Sequence, residues 1–160
     1  MNKAVFLDRD GVINIDALPY TYKPEDFHFI SEQFSHLKTL HQKGYLFIVI
    51  SNQGGIGKGL YTRHDADKIG EMIQSEFEKN QMKLSAYYYC SHHPISGKCI
   101  CRKPDSLLIE KALARFNIDP AQSYMIGDMQ RDVDAAHKVG VKGILIESNS
   151  SLKHVIEQIK

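Results

Sequence analysis

The chain has 160 residues, a net charge of +1 from 20 Lys and Arg against 19 Asp and Glu, and only three cysteines. That length suits one domain spanning residues 1–160, since about 70% of the unfolded surface can be buried. The even charge gives no global field for nucleic acid, and no leader pattern or apolar run of about 18 residues points to a membrane, so a soluble, cytoplasmic protein is expected.

In chain order, the apolar run from Ala4 to Leu7 predicts a first strand over Val5–Asp8, which delivers Asp8-Arg9-Asp10-Gly11-Val12 at its exit. Residues i and i+2 share a face of a strand, but a turn at Gly11 lets one carboxylate point at a ligand while the other reaches its far side. An apolar stripe through Phe34–Leu40 predicts a helix, and the run Tyr45–Ser51 a second strand ending in Ser51-Asn52-Gln53. The clearest helix starts near Thr62, a fitting N-cap, and sets Ala66, Ile69, Met72, Ile73 and Phe77 at helical spacing for packing on a sheet. Strands are predicted over Ala86–Cys90, Tyr124–Gly127 and Gly143–Ile146, and helices over Leu107–Phe116, Val133–Val139 and Leu152–Ile159. Strand and helix in alternation imply right-handed crossovers, hence an α/β fold: a Rossmann-like, three-layer α/β/α sandwich around a mainly parallel sheet. Ligands of such folds bind outside the carboxyl ends of the strands.

All three cysteines fall in one run with a histidine: Cys90, His92, Cys99 and Cys101, followed directly by Arg102 and Lys103. Four donors spaced Cys-x-His and Cys-x-Cys around a Ser-Gly turn can close on one tetrahedral Zn²⁺ with no open position, which is a structural site. The competing reading, one local disulfide and a free thiol, fits an odd cysteine count in a reducing compartment less well. His93 is an alternative ligand to His92.

The strand ends collect Asp8, Asp10, Ser51, Asn52, Gln53, Asp128 and Asp132, with Lys103 after the cysteine loop. Carboxylates gathered so closely repel unless a hard cation sits among them, and Mg²⁺ takes one or two carboxylates plus water and phosphate oxygens. A lysine and a serine hydroxyl suit the equatorial oxygens of a phosphoryl group in transfer. Each piece alone has a bland reading, a solvated turn for Asp-x-Asp or a capping carboxylate for Gly127-Asp128.

Taken in order, Asp8-Arg9-Asp10-Gly11-Val12, Ser51-Asn52-Gln53, Lys103 and Gly127-Asp128 with Asp132 resemble the four motifs of the haloacid dehalogenase-like phosphohydrolases. The resemblance implies that Asp8 is a nucleophile forming an aspartyl phosphate and Asp10 the general acid and base. It implies Mg²⁺ held by Asp8, the backbone carbonyl of Asp10 and Asp128. Ser51 and Lys103 would steady the phosphoryl oxygens, and Asp132 would orient its neighbours. Neither gap between motifs has room for an inserted cap domain, so a capless, open cleft is expected, with specificity set by the loops Asn14–Phe27 and Gly54–Tyr61 and by the cysteine loop.

The loops narrow the resemblance to the D-glycero-D-manno-heptose 1,7-bisphosphate 7-phosphatase family. The carriers are Asp8 to Asp16, Asn52-Gln53 with Gly55-Ile56, Cys90-x-His92-His93-Pro94, and Cys99-x-Cys101-Arg102-Lys103-Pro104. Histidinol-phosphate phosphatases are the near relatives and the alternative reading; both bind zinc through such a loop. The interval between His92 and Cys99 is shorter than in many heptose enzymes, and Gly57 stands where alanine is usual. The implied substrate is a small sugar bisphosphate, contacted by Asp16, Asn52, Gln53, Gly54 and Arg102, in a pathway to bacterial surface glycans such as lipopolysaccharide; a monomer is expected. Arg102 can grip a second anionic group bidentately, and Lys58 is a further candidate for the distal phosphate. From another class, a zinc-stabilised binding module without turnover would keep the fold but has no need of Asp8, Asp10, Ser51, Lys103 and Asp128 together.

Several features carry no site. Gly54-Gly55-Ile56-Gly57-Lys58-Gly59 lacks the Ser or Thr that a P-loop needs after its lysine. Tyr87-Tyr88-Tyr89 reads as sheet packing, and the six scattered histidines as surface or helix residues.

Overall fold

Along strand β1 (Lys3–Leu7), Val5 and Leu7 face one side and Ala4 and Phe6 the other, and all four are fully buried. A strand apolar on both faces sits in the middle of a covered sheet. The computed structural model, which describes residues 1–160, places β1 there. β2 (Tyr45–Asn52) and β3 (Leu84–Cys90) lie to one side, β4 (Tyr124–Gly127) and β5 (Lys142–Leu145) to the other, in the order β3-β2-β1-β4-β5 with every pairing parallel.

Helices cover both faces. α1 (Gln33–Gln42), α3 (Arg63–Lys79) and α6 (Lys153–Ile156) close a core of 21 buried residues around Val5, Leu7, Phe47, Val49 and Phe77. α4 (Leu107–Arg115) and α5 (Gln130–His137) close a second core of 11 around Phe6, Ile48, Ile50 and Met125. Each fully buried Phe, Leu or Ile contributes about 1.5–3 kcal/mol, so both layers are needed to hold the sheet.

Several boundaries move from the sequence reading. β1 ends at Leu7, which leaves Asp8 just beyond the strand; β3 starts at Leu84 and β5 at Lys142. Thr62 caps α3 as expected, in a reciprocal capping box with Asp65. α5 starts earlier than its apolar residues predict, because the Asp132 carboxylate accepts from the Met129 N–H at 3.1 Å. α6 is only four residues long, and a short helix unforeseen from a glycine-rich stretch, α2, spans Gly54–Gly57.

Between β1 and β2 lie only a loop, a 3-10 turn and α1, and between β2 and β3 only α2 and α3, so neither gap carries a cap domain. The chain leaves β1 toward β2 and β3, then returns to β4 on its other side. The carboxyl ends of β1 and β4 therefore form the switch-point crevice where ligands of open parallel sheets bind.

Candidate active site

β1 and β4 deliver Asp8 and Asp128 side by side into that crevice. Gly11 makes the close approach possible: its φ is +84°, and a Cβ there would collide with the Asp128 carboxylate and the Ser148 hydroxyl. Lys103, only 2% exposed, reaches in beneath them. Its Nζ lies 2.8 Å from Asp8 Oδ1 and 2.7 Å from Asp132 Oδ1, and donates to the Ile50 carbonyl at 2.6 Å. Burial alone would depress the ammonium, but Asp8 and Asp132 outweigh it and raise its pKa above 10.5. Lys103 is thus a fixed cation.

Asn52 sets Lys103 in place by clasping its backbone: Oδ1 accepts from the Lys103 N–H at 3.0 Å, and Nδ2 donates to the Lys103 carbonyl at 3.1 Å. The end of β2 therefore fixes the third motif in space. Ser51 is fully buried, and its hydroxyl accepts from Gln53 Nε2 at 2.8 Å.

Asp10 turns differently from Asp8. Its Oδ1 accepts from Arg9 Nε and Nη2 at 3.2 and 3.0 Å and from Asn14 Nδ2 at 3.0 Å. Its Oδ2 receives only Gln53 Nε2, at 3.3 Å. The Asp10 backbone carbonyl accepts no hydrogen bond, so it is open to a metal while Oδ2 faces the chamber.

The donor set suits a hard divalent cation. Carboxylate oxygens of Asp8, Asp128 and Asp132 lie within 4.8 Å of one another. Asp132 spends its oxygens on Lys103 and the α5 cap, so Asp8 and Asp128 remain. Burial, and then the Asp8 charge, push the Asp128 pKa up to about 7. This excess negative charge is what a bound cation relieves.

These groups border a recess of ≈ 200 Å³ lined by Asp8, Asp10, Asp16, Asn52, Asp128, Met129 and Arg131. It shares Asp10, Asp16, Asn52 and Arg131 with a larger chamber of ≈ 470 Å³, walled further by Leu18 to Thr21, Gln53, Gly54, Lys58, Tyr61, His93 and Arg102. Partial burial and then the carboxylates of Asp10 and Asp8 raise the pKa of Asp16. The chamber's far wall is basic: Lys58 donates to the Tyr20 hydroxyl at 3.1 Å, and Arg102 Nη1 to the His92 carbonyl at 3.4 Å. Gly54 leaves space for that wall, since a Cβ there would lie 2.9 Å from Arg102 Nη1 and 3.1 Å from His93 Cδ2.

The cysteine loop stands directly behind. Cys90, Cys99 and Cys101 are free thiols, and one donor atom from each lies within 4.8 Å of the others and of a His92 ring nitrogen. His92 Nδ1 is 3.5 Å from Cys90 Sγ and 3.2 Å from Cys101 Sγ. Burial first, and the Cys101 contact next, push the Cys90 thiol up to about 12, so Cys90 would be held as a thiolate only by a metal. The set fits a structural zinc site. His93 is elsewhere, its Nδ1 accepting from the Ile95 N–H at 3.2 Å and its ring facing the chamber.

The structure therefore brings Asp8, Asp10, Asp16, Asn52, Gln53, Gly54, Arg102 and Asp128 to one continuous cavity, places Ser51 and Lys103 buried beneath it, and gathers the four zinc candidates separately. Sequence reasoning did not single out Arg9 or Arg131, and it placed Tyr20 and Tyr61 only within the loops Asn14–Phe27 and Gly54–Tyr61 expected to set specificity. Arg9 had a signal, a charged residue inside the first motif between Asp8 and Asp10; Tyr20 reaches the site through loop geometry and Arg131 through the first turn of α5. Arg131 Nε is buried without a hydrogen-bond partner.

Residues 100–160 match the HAD-hydrolase-like family. The chain is 41% identical over 146 residues to D-glycero-beta-D-manno-heptose-1,7-bisphosphate 7-phosphatase of Haemophilus ducreyi, covering 88% of this chain and 80% of that protein. It is 39% identical over 151 residues to the D-glycero-alpha-D-manno-heptose-1,7-bisphosphate 7-phosphatase of Campylobacter jejuni, covering 94% and 85%. The crystal structure of D,D-heptose 1,7-bisphosphate phosphatase from B. bronchiseptica, complexed with magnesium and phosphate, superposes with a TM-score of 0.84 at 26% identity, covering 97% of this chain and 86% of that one. No helix of this chain is long and apolar enough to cross a membrane. On the identity and coverage of these relatives, the chain belongs to the haloacid dehalogenase-like hydrolases, in the family of these heptose-bisphosphate phosphatases, and is a phosphoric monoester hydrolase.

Proposed function

We propose that the protein removes the 7-phosphate of D-glycero-D-manno-heptose 1,7-bisphosphate through an aspartyl-phosphate intermediate. The observation that carries this reading is the pairing of an acidic recess, with its buried lysine, and a basic chamber on the same cavity. A phosphate in the recess meets Asp8, with Arg131 beside it; a second phosphate on the same small sugar meets Lys58 and Arg102 across the chamber. The names of the relatives support the same substrate.

In the first half-reaction an Asp8 carboxylate oxygen attacks phosphorus and forms the O–P bond as the bond from phosphorus to the sugar oxygen breaks. Asp10 gives its proton to that leaving oxygen, and the sugar departs as an alcohol. In the second, water attacks the aspartyl phosphate, Asp10 takes a water proton, and the Asp8–phosphorus bond breaks to release inorganic phosphate. Lys103 holds one Asp8 oxygen, fixing the direction of attack and offsetting charge that builds on the phosphoryl group. Ser51 and Gln53 order the floor, and Asp132 holds Lys103 from below. Asp8, Asp128 and the Asp10 carbonyl would hold Mg²⁺, which supplies neutralisation of the carboxylates and the phosphoryl oxygens. Cys90, His92, Cys99 and Cys101 would hold Zn²⁺ and stiffen the segment that presents Arg102 and Lys103.

The test is phosphate release with magnesium present from both anomers of the heptose bisphosphate and from histidinol phosphate. A kcat/KM favouring a heptose anomer by orders of magnitude supports the assignment and fixes the anomer. Preference for histidinol phosphate overturns it.

A further inference from the structure

Arg9 is the largest side chain that the fold buries completely. A buried guanidinium must have its donors satisfied to be tolerated at all, and where they go is informative. Nε and Nη2 both converge on Asp10 Oδ1; Nη2 also donates to the Thr21 carbonyl at 2.5 Å, and Nη1 to the Tyr87 hydroxyl at 3.4 Å. The Phe27 ring lies under the guanidinium, 5.7 Å to its centroid. Three elements meet there: the first motif, the loop that walls the chamber, and β3.

The consequence falls on Asp10. Its two oxygens are made unequal, one held by three donors and the other left with a single long contact on the chamber side. A carboxyl group that must pass a proton to a leaving oxygen needs one oxygen free and its plane held still. Because the same guanidinium grips the Thr21 carbonyl, that plane is registered to the chamber wall carrying Tyr20.

We propose that Arg9 is a positioning residue, which aims the free oxygen of Asp10 at the leaving group and keys its orientation to the loop that encloses the substrate. The proposal rests on the reading of Asp10 as general acid. Lysine would retain the charge but has no planar fork to serve Asp10, Thr21 and Tyr87 together.

The test compares kcat/KM for a sugar phosphate, whose alkoxide needs a proton to leave, with that for p-nitrophenyl phosphate, whose phenolate does not. Arg9→Gln and Arg9→Lys are measured beside Asp10→Asn. Both Arg9 variants are expected to lose about tenfold or more on the sugar phosphate, part of the ~10²–10⁴ that a general acid contributes, and much less on the aryl ester, with Arg9→Lys the milder. Equal losses on the two substrates, or no loss, overturn the proposal. If circular dichroism shows Arg9→Gln unfolded, Arg9→Lys decides alone. Asp10→Asn separates the two ideas: if it discriminates between the substrates and the Arg9 variants do not, only the Arg9 proposal fails. If Asp10→Asn itself shows no discrimination, the general-acid reading fails.

Discussion

The acidic recess and the basic chamber share a wall but are made from different parts of the chain. The recess hangs from strand ends. Asp8 follows β1, Asp128 follows β4, and Asn52 at the end of β2 clasps Lys103, so each group is fixed by a sheet with buried side chains on both faces. The chamber is assembled from loops and short turns: residues 18–21, α2 and its exit at Lys58, and the segment from His93 to Arg102. Chemistry that needs sub-ångström aim is carried by the sheet, and substrate choice by segments that can vary without disturbing it.

The same contrast explains what was legible in the sequence. Asp8, Asp128, Lys103 and the β-rich runs are visible because a strand exit followed by a carboxylate is a local pattern. The cysteine cluster is visible because its four donors lie within twelve residues. Arg131 and Tyr20 were not singled out: Arg131 lies inside the fourth motif, between Asp128 and Asp132, but the motif alone does not aim its side chain at the cavity, and Tyr20 is one of several residues of a loop whose path the sequence does not fix. α5 was placed too late because its start is set by a capping carboxylate, not by its apolar stripe. α2 was missed because glycine-rich segments rarely favour helix, and here it rests on burial of Gly54 and Gly55. His93 was read as part of the heptose-phosphatase resemblance and as an alternative zinc ligand, not as a wall of the chamber, which is where its ring lies.

If the recess carries the chemistry, Asp8→Asn is the change that breaks the comparison most sharply. It should cut phosphate release by on the order of 10⁶-fold, the scale felt when a covalent nucleophile is lost, while leaving the circular dichroism spectrum unchanged. Substantial residual turnover would remove Asp8 from its assigned role.

The cysteine loop sharpens the comparison from the other side. Elemental analysis should find about one zinc per chain, as four ligands around one ion require. Cys101→Ser should lower the melting temperature clearly, drawing on the ~10–16 kcal/mol that structural zinc supplies in small sites. Its activity loss should come through the chamber and Lys103, leaving the sheet folded. Zinc-free protein of undiminished stability would contradict this.

A smaller effect concerns pH. Asp128 in the metal-free fold has its pKa raised from 3.8 to about 7, by burial and then by Asp8. The folded state therefore binds more protons than the unfolded one between those values, so this group's contribution to stability is full below about pH 4 and lost as pH rises through 7. Chelator-treated protein should melt progressively lower across that window. Asp128→Asn should flatten the slope, and an unaltered slope would assign it to other groups.

The most direct test of the division between recess and chamber is to measure kcat/KM of Arg102→Ala for the heptose 1,7-bisphosphate and for the corresponding 7-monophosphate. Loss of a bidentate, charge-assisted contact is worth about ten- to a hundredfold. That loss is predicted for the bisphosphate alone, with the monophosphate cleaved as well as by the unaltered protein. Equal losses on both substrates would place Arg102 in the machinery of phosphoryl transfer and contradict the division.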